Sequence, residues 1–158
     1  MGGSDLGRSS RRCRLLMVKE RKNWTNENSL NDNLGHGIFV AGENTECLGF
    51  APDAETYAFR AFTDAQVSYT SWFLDTFNYA IATNMDVLNL IIGGPNNMDL
   101  PFLGKFWELT ASNISVISSD GPYYVTLNNP ADQSDVIGVG GIDYSSSITS
   151  FSSRGMNT

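Results

Sequence analysis

The sequence predicts an α/β fold, a parallel sheet covered by helices. Two observations carry this expectation. Segments of strand and helix character alternate after residue 55, and the runs at 86–92, 114–117 and 135–140 are rich in apolar residues rather than strictly alternating, as in strands buried in a parallel sheet. Helix-length connections suit parallel neighbours, which a tight turn cannot join. At 158 residues, with 41 % hydrophobic positions, the chain is long enough to bury a core as one domain.

Residues 1–17 are rich in glycine, serine and arginine and read as an irregular basic segment, and 18–35, dominated by Asn, Asp, Glu and Lys, as a surface loop. At His36 the text turns small and apolar, and a helix beginning there is short because Gly42, Glu43 and Asn44 interrupt it. Pro52-Asp53 then turns the chain into an alternating strand over 56–60. Phe73, Phe77, Ala80 and Ile81 fall at i, i+4, i+7 and i+8, which predicts an amphipathic helix over 67–84 with Ser68 or Asp64 as its cap. Asp86 to Ile92 reads as a strand buried on both faces and closed by Gly93-Gly94-Pro95. Pro101 opens a second helix, to about Ser112, at a first-turn position where its missing N–H costs nothing. Strands at 114–117 and 135–140 follow, and 145–158 is serine-rich.

The net charge of −7 is unevenly distributed. Seven of ten cations lie in the first 22 residues, leaving Arg60, Lys105 and Arg154 against fifteen acids. An acidic body argues against nucleic acid as partner, because phosphate neutralisation needs clustered Lys and Arg. No apolar run is long enough to span a membrane, and Met1-Gly2-Gly3-Ser4 has no signal-peptide core. Cys13 and Cys47 lack metal-ligand spacing, and with a single histidine the sequence predicts neither metal nor cofactor. Asn23-Trp24-Thr25 and Asn113-Ile114-Ser115 are glycosylation sequons, which matter only in a secretory compartment.

His36, in Gly35-His36-Gly37, is the first candidate for proton transfer, since imidazole titrates near neutrality and no other histidine competes. A structural role is the bland alternative. A histidine acting as a base needs a carboxylate on its other ring nitrogen, and Asp5, Glu20, Glu27 and Asp32 lie upstream. The turn Gly138-Val139-Gly140-Gly141 lacks the full dinucleotide-binding spacing and reads as tight packing.

Gly-His-Gly followed by Phe-Val-Ala-Gly, and then Asn-Leu-Ile-Ile-Gly-Gly-Pro at a strand end, resembles the motif order of subtilisin-like serine proteases. The resemblance covers about residues 18–158 and is nearest the site-1 branch, in Asn23 to Glu27, Gly49 to Glu55, Gln66 to Asp75, Asp86 to Leu90, Thr126 to Gln133, Asp135 to Asp143 and Phe151 to Met156. It implies a partial subtilisin-like parallel sheet with helices on both faces. It further implies that His36 is the general base, that Asp5 in Asp5-Leu6-Gly7 is its aspartate, and that Leu90, Ile91, Ile92, Gly93 and Gly94 form the edge that pairs with an extended polypeptide. The implied activity is endoproteolysis of lumenal or membrane protein precursors, near Arg and hydrophobic residues, in the secretory pathway.

Three departures bear on activity. No serine among the 158 residues stands in the family's Gly-Thr-Ser motif, Ser118-Ser119 replaces the segment with the oxyanion asparagine, and Ile38 replaces a threonine beside the histidine. The expectation is therefore a partial catalytic domain without turnover of its own. The alternatives are a peptide-binding module that holds extended chains without cutting them, and a fragment too incomplete to fold.

Overall fold

A computed structural model of the chain describes residues 17–41, 51, 53–92, 100–119, 121 and 129–153. The chain divides into two compact units, residues 1–67 and 68–158. The first contains strand β1 (Met17–Asn23), helix α1 (His36–Ala41) and strand β2 (Glu55–Arg60). The second contains α2 (Thr70–Ala82), β3 (Val87–Leu90), α3 (Leu100–Ala111), β4 (Ser115–Ser119) and β5 (Val136–Val139).

In the first unit β1 and β2 pair in parallel from Met17 opposite Glu55 to Asn23 opposite Arg60, with one irregularity between Val18 and Glu20. The Trp24 amide continues the ladder onto the Arg60 carbonyl at 2.9 Å. Sequence reading places residues 18–23 in a loop, and the structure makes them a strand. Charged Lys19, Glu20, Arg21 and Lys22 hide the two-residue period, yet charged side chains are what an exposed edge strand carries. Lys19 Nζ lies 2.7 Å from Glu55 Oε1 across the pair, and that hydrogen-bonded carboxylate raises the lysine's pKa.

The second unit is a three-stranded parallel sheet in the order β3-β4-β5, with Val87 opposite Ser115 and Val116 opposite Val136. Its core joins Leu88, Leu90, Val116 and Val136 of the strands to Phe77 and Ala80 of α2, Phe106 and Leu109 of α3, and Ile114. Phe73, Phe77, Phe102 and Phe106 interlock with centroids 4.9 to 6.1 Å apart, Phe102 standing edge to face with both Phe73 and Phe106. β3 departs from the expected two-sided burial: Leu88 and Leu90 are buried, whereas Val87 is 52 % exposed and Asn89 is exposed. Ile91 and Ile92 leave the ladder, so the strand is shorter than its apolar run.

Both helices of this unit end alike. Asn84 (φ 51°) and Asn113 (φ 62°) adopt the left-handed conformation one residue past the cap. The Asn84 and Met85 amides donate to the Ile81 and Ala80 carbonyls, and the Asn113 and Ile114 amides to those of Thr110 and Leu109. These are Schellman closures, in which asparagine stands where glycine is usual. At the start of α2 neither Ser68 nor Asp64 is the N-cap residue. Tyr69 occupies the position in extended conformation with no capping side-chain bond, and Asp64 is held elsewhere by Arg60 and Asn33.

Candidate functional site

His36 opens α1 and is exposed to solvent. The turn that delivers it is built by its predecessors. Asp32 Oδ1 accepts the Leu34 amide at 3.2 Å and the Gly35 amide at 2.8 Å, and Gly35 takes φ +78°, which glycine adopts without strain. A Cβ at Gly37 would come within 3.1 Å of Asp32 Oδ2, so the second glycine leaves room for the carboxylate under the turn. The two glycines beside the histidine thus have separate geometric reasons.

Residues 24–35 are fastened to the end of β2 by a polar network centred on Arg60. Its guanidinium is largely buried and pairs with Glu27 and with Asp64 (2.7 Å), while Nη1 donates to the Ser29 carbonyl at 2.6 Å. Glu27 also accepts the Asp64 amide at 3.1 Å, Asp64 Oδ2 accepts Asn33 Nδ2 at 2.7 Å, and Arg21 donates to the Leu30 carbonyl. Sequence reading did not find this network. Its one signal is Arg60 itself, the sole cation between Lys22 and Lys105 in an acidic body.

Two of the four upstream carboxylates are therefore committed elsewhere, Glu27 to Arg60 and Asp32 to the turn. Glu20 lies in β1, where its carboxylate is 4.0 Å from Lys22. Asp5 lies outside the described residues.

The second set of expected site residues belongs to the second unit. Leu90 is buried in the core, Ile92 packs against that core, and Ile91 is half-buried; Gly93 and Gly94 lie outside the described residues. The Leu90 side chain is thus directed into the core of the second unit. Ser118 at the end of β4 is fully buried, and its hydroxyl donates to the Ile92 carbonyl at 3.3 Å. A hydroxyl so placed ties the end of β4 to the segment that follows β3. A cleft of about 240 Å³ lies at the carboxyl ends of the strands, lined by Asn89, Ile91, Ile117, Ser118, Ser119 and Val139. Ligands of parallel α/β sheets bind at that end.

The glycines after β5 are there for packing. A Cβ at Gly140 would stand 2.7 Å from Ser152 Oγ, and one at Gly141 2.8 Å from the Phe151 ring. Among the described residues no group of three His, Cys, Asp or Glu is arranged to hold a metal, and no helix is long and apolar enough to cross a membrane.

The profile of the subtilase family, peptidase S8, matches residues 12–158. The chain is 74 % identical over 148 residues to the subtilisin-like protease SBT6.1 of Arabidopsis thaliana, an alignment covering 89 % of this chain and 14 % of that protein. It is 63 % identical over 160 aligned positions to the membrane-bound transcription factor site-1 protease of Homo sapiens, covering 98 % and 15 % respectively. With subtilisin E of Bacillus subtilis it shares 30 % identity over 139 residues, 81 % of this chain and 36 % of that one. In fold it is similar to the prenylagaramide maturation protease PagA, with a TM-score of 0.65 at 19 % identity over 71 % of this chain and 42 % of that one. Sphericase gives 0.58 at 16 % identity over 66 % and 38 %. The chain spans about one seventh of the length of the site-1 protease and of SBT6.1.

Proposed function

This chain belongs to the subtilase family, and from that premise we propose that it carries the general-base portion of a serine endopeptidase acting on lumenal or membrane protein precursors in the secretory pathway. The observation that carries the reading is the exposed His36 at the start of α1, held between Gly35 and Gly37 by the Asp32 turn. In acyl transfer of this kind a serine hydroxyl attacks the scissile carbonyl as the imidazole takes its proton. The imidazole then returns that proton to the departing amine, and water repeats the cycle on the acyl-enzyme. Asp5 is assigned to the other ring nitrogen, fixing tautomer and orientation. The engagement of Glu27 with Arg60 and of Asp32 with the turn amides supports that assignment over the nearer carboxylates. The backbone of residues 90–94 is assigned to an extended substrate, which would pair with it as an added strand.

The 158 residues by themselves are expected to hold peptide without cutting it, as a partial catalytic domain over 18–158 preceded by a basic segment. They contain no serine in the nucleophile motif, and loss of that serine costs on the order of 10⁶ in kcat. The Ser118 hydroxyl, turned to the Ile92 carbonyl, also favours binding without turnover, because an oxyanion donor alone is worth about 3 to 4 kcal/mol.

The test uses an internally quenched Arg-x-x-Leu peptide. A polypeptide in which residues 1–158 are joined to a subtilase segment carrying the Gly-Thr-Ser serine is expected to cleave it, with loss of the activity on His36→Ala. The 158-residue polypeptide is expected to bind it saturably without cleavage. Cleavage unaffected by His36→Ala would remove the histidine from its role, and cleavage by the 158-residue polypeptide would overturn the binding-only reading.

A further inference from the structure

We propose that Asn113 is an N-glycan acceptor, at a place where the sugar leaves the peptide-binding end of the sheet open. The proposal rests on the secretory location argued above. Asn113-Ile114-Ser115 has the acceptor pattern with a non-proline middle residue, and the fold divides its three residues as an acceptor needs. Asn113 is exposed at the left-handed position that closes α3. Ile114, 2 % exposed, anchors the turn in the core against Leu109. Ser115 is exposed at the first position of β4, its amide bonded to the Asp86 carbonyl at 2.9 Å. The closure of α3 uses only backbone groups of Asn113 and Ile114, so a sugar on the side-chain nitrogen breaks none of it.

The other sequon differs. Asn23 Nδ2 donates to the Glu27 carbonyl, and Asn23 Oδ1 accepts both the amide (2.9 Å) and the hydroxyl (2.7 Å) of Thr25. That side chain is part of the loop's framework. Among the described residues no hydrogen bond engages the Asn113 side-chain amide.

Beside Asn113 a cleft of about 290 Å³ is lined by Thr110, Ser115, Asp135 and Ile137 among others. It offers hydroxyl and carboxylate partners to a first sugar, and the 56 % exposed Ile137 to the sugar's apolar face. This cleft lies at the amino ends of β4 and β5. The residues assigned to peptide lie at the carboxyl ends, on the order of 13 Å away along the strand at about 3.3 Å per residue. A glycan at Asn113 therefore marks the rim opposite the cleft bounded by Ile91 and Ser119.

The full chain, expressed behind a heterologous secretory leader and recovered from the lumen or medium, is treated with peptide N-glycosidase in heavy-oxygen water. The peptide containing Asn113 is expected to carry the isotopic mark. Asn113→Gly, which keeps the left-handed turn, and Ser115→Ala should each lower the intact mass by one glycan, and Ser115→Thr should keep it. An unmarked Asn113 overturns the proposal, as does an intact mass unchanged by Asn113→Gly and Ser115→Ala. Because the leader enforces the compartment and the reading is at the peptide, such a failure belongs to the site and not to the natural location or to stability.

Discussion

At the scale of single residues the sequence is most legible where chemistry is scarce. His36 stands out because it is the only imidazole, and the structure accounts for its glycine neighbours, Gly35 by a left-handed φ and Gly37 by the closeness of Asp32. Asp32 itself was legible only as a carboxylate upstream of the histidine; that it accepts the Leu34 and Gly35 amides is a matter of turn geometry. Asp143 shows the same limit. Its Oδ1 accepts the Ser145 hydroxyl at 2.6 Å, the Ser147 amide at 2.9 Å and the Ser145 amide at 2.8 Å. These bonds, the Ser145 hydroxyl foremost, hold its carboxyl below the usual carboxylate range. A pKa lowered in the folded state contributes stability above the unfolded pKa and loses it as pH falls through the folded one. The 143–147 turn should thus be intact at neutral pH and loosen only at pH below about 4, the ordinary aspartate value. Amide chemical shifts of Ser145 and Ser147 followed on acidification check this, and Asp143→Asn should remove the transition. A transition centred above the ordinary aspartate value would contradict the assigned bonds.

At the scale of elements, α2 was legible from its helical apolar period and α3 from its period together with the first-turn Pro101, whereas the left-handed asparagines that close both helices, Asn84 and Asn113, were not read as stop signals. β1 was not legible. Its pairing partner is more than thirty residues away, and its run of charged side chains removes the alternation by which a half-buried strand is recognised. The expected two-sided burial of β3 failed for a related reason, since an apolar run states what a strand tolerates and not what covers it. Packing energies follow from the observed core. Phe77 is fully buried among Phe73, Phe102 and Phe106, and Phe77→Ala should cost about 3 to 5 kcal/mol, measured by denaturant unfolding. Arg60 tests the polar network in the other unit. Arg60→Ala strands the Glu27 carboxylate and frees the Ser29 carbonyl, at a cost of about 2 kcal/mol. Lysine should restore only part, because a single ammonium cannot reproduce the guanidinium fork. As His36 is the only imidazole, its ring-proton resonances report whether the loop has moved. They should change in Arg60→Ala and stay in Lys19→Ala, whose partner Glu55 is at the opposite end of the strand pair.

At the scale of the whole molecule, charge is the property that composition states and the fold does not alter. Beyond residue 22 the chain carries three cations against fifteen acids. Of those cations, Arg60 is already neutralised by Glu27 and Asp64, and Lys105 pairs with Glu108. The folded body therefore presents a negative field, which attracts a peptide bearing arginine before any specific contact forms and repels an acidic one. Steering of this kind acts on association rates and is removed by salt. The Debye length contracts from about 30 Å at 0.01 M to about 8 Å at 0.15 M ionic strength. Association of an Arg-x-x-Leu peptide, followed by stopped-flow fluorescence, should slow by on the order of tenfold over that range, with a much smaller change in the dissociation rate. Replacing the peptide's arginine by citrulline, which keeps the shape and removes the charge, should abolish most of the salt dependence. An association rate indifferent to salt would mean that the acidic surface takes no part in bringing the peptide to the chain.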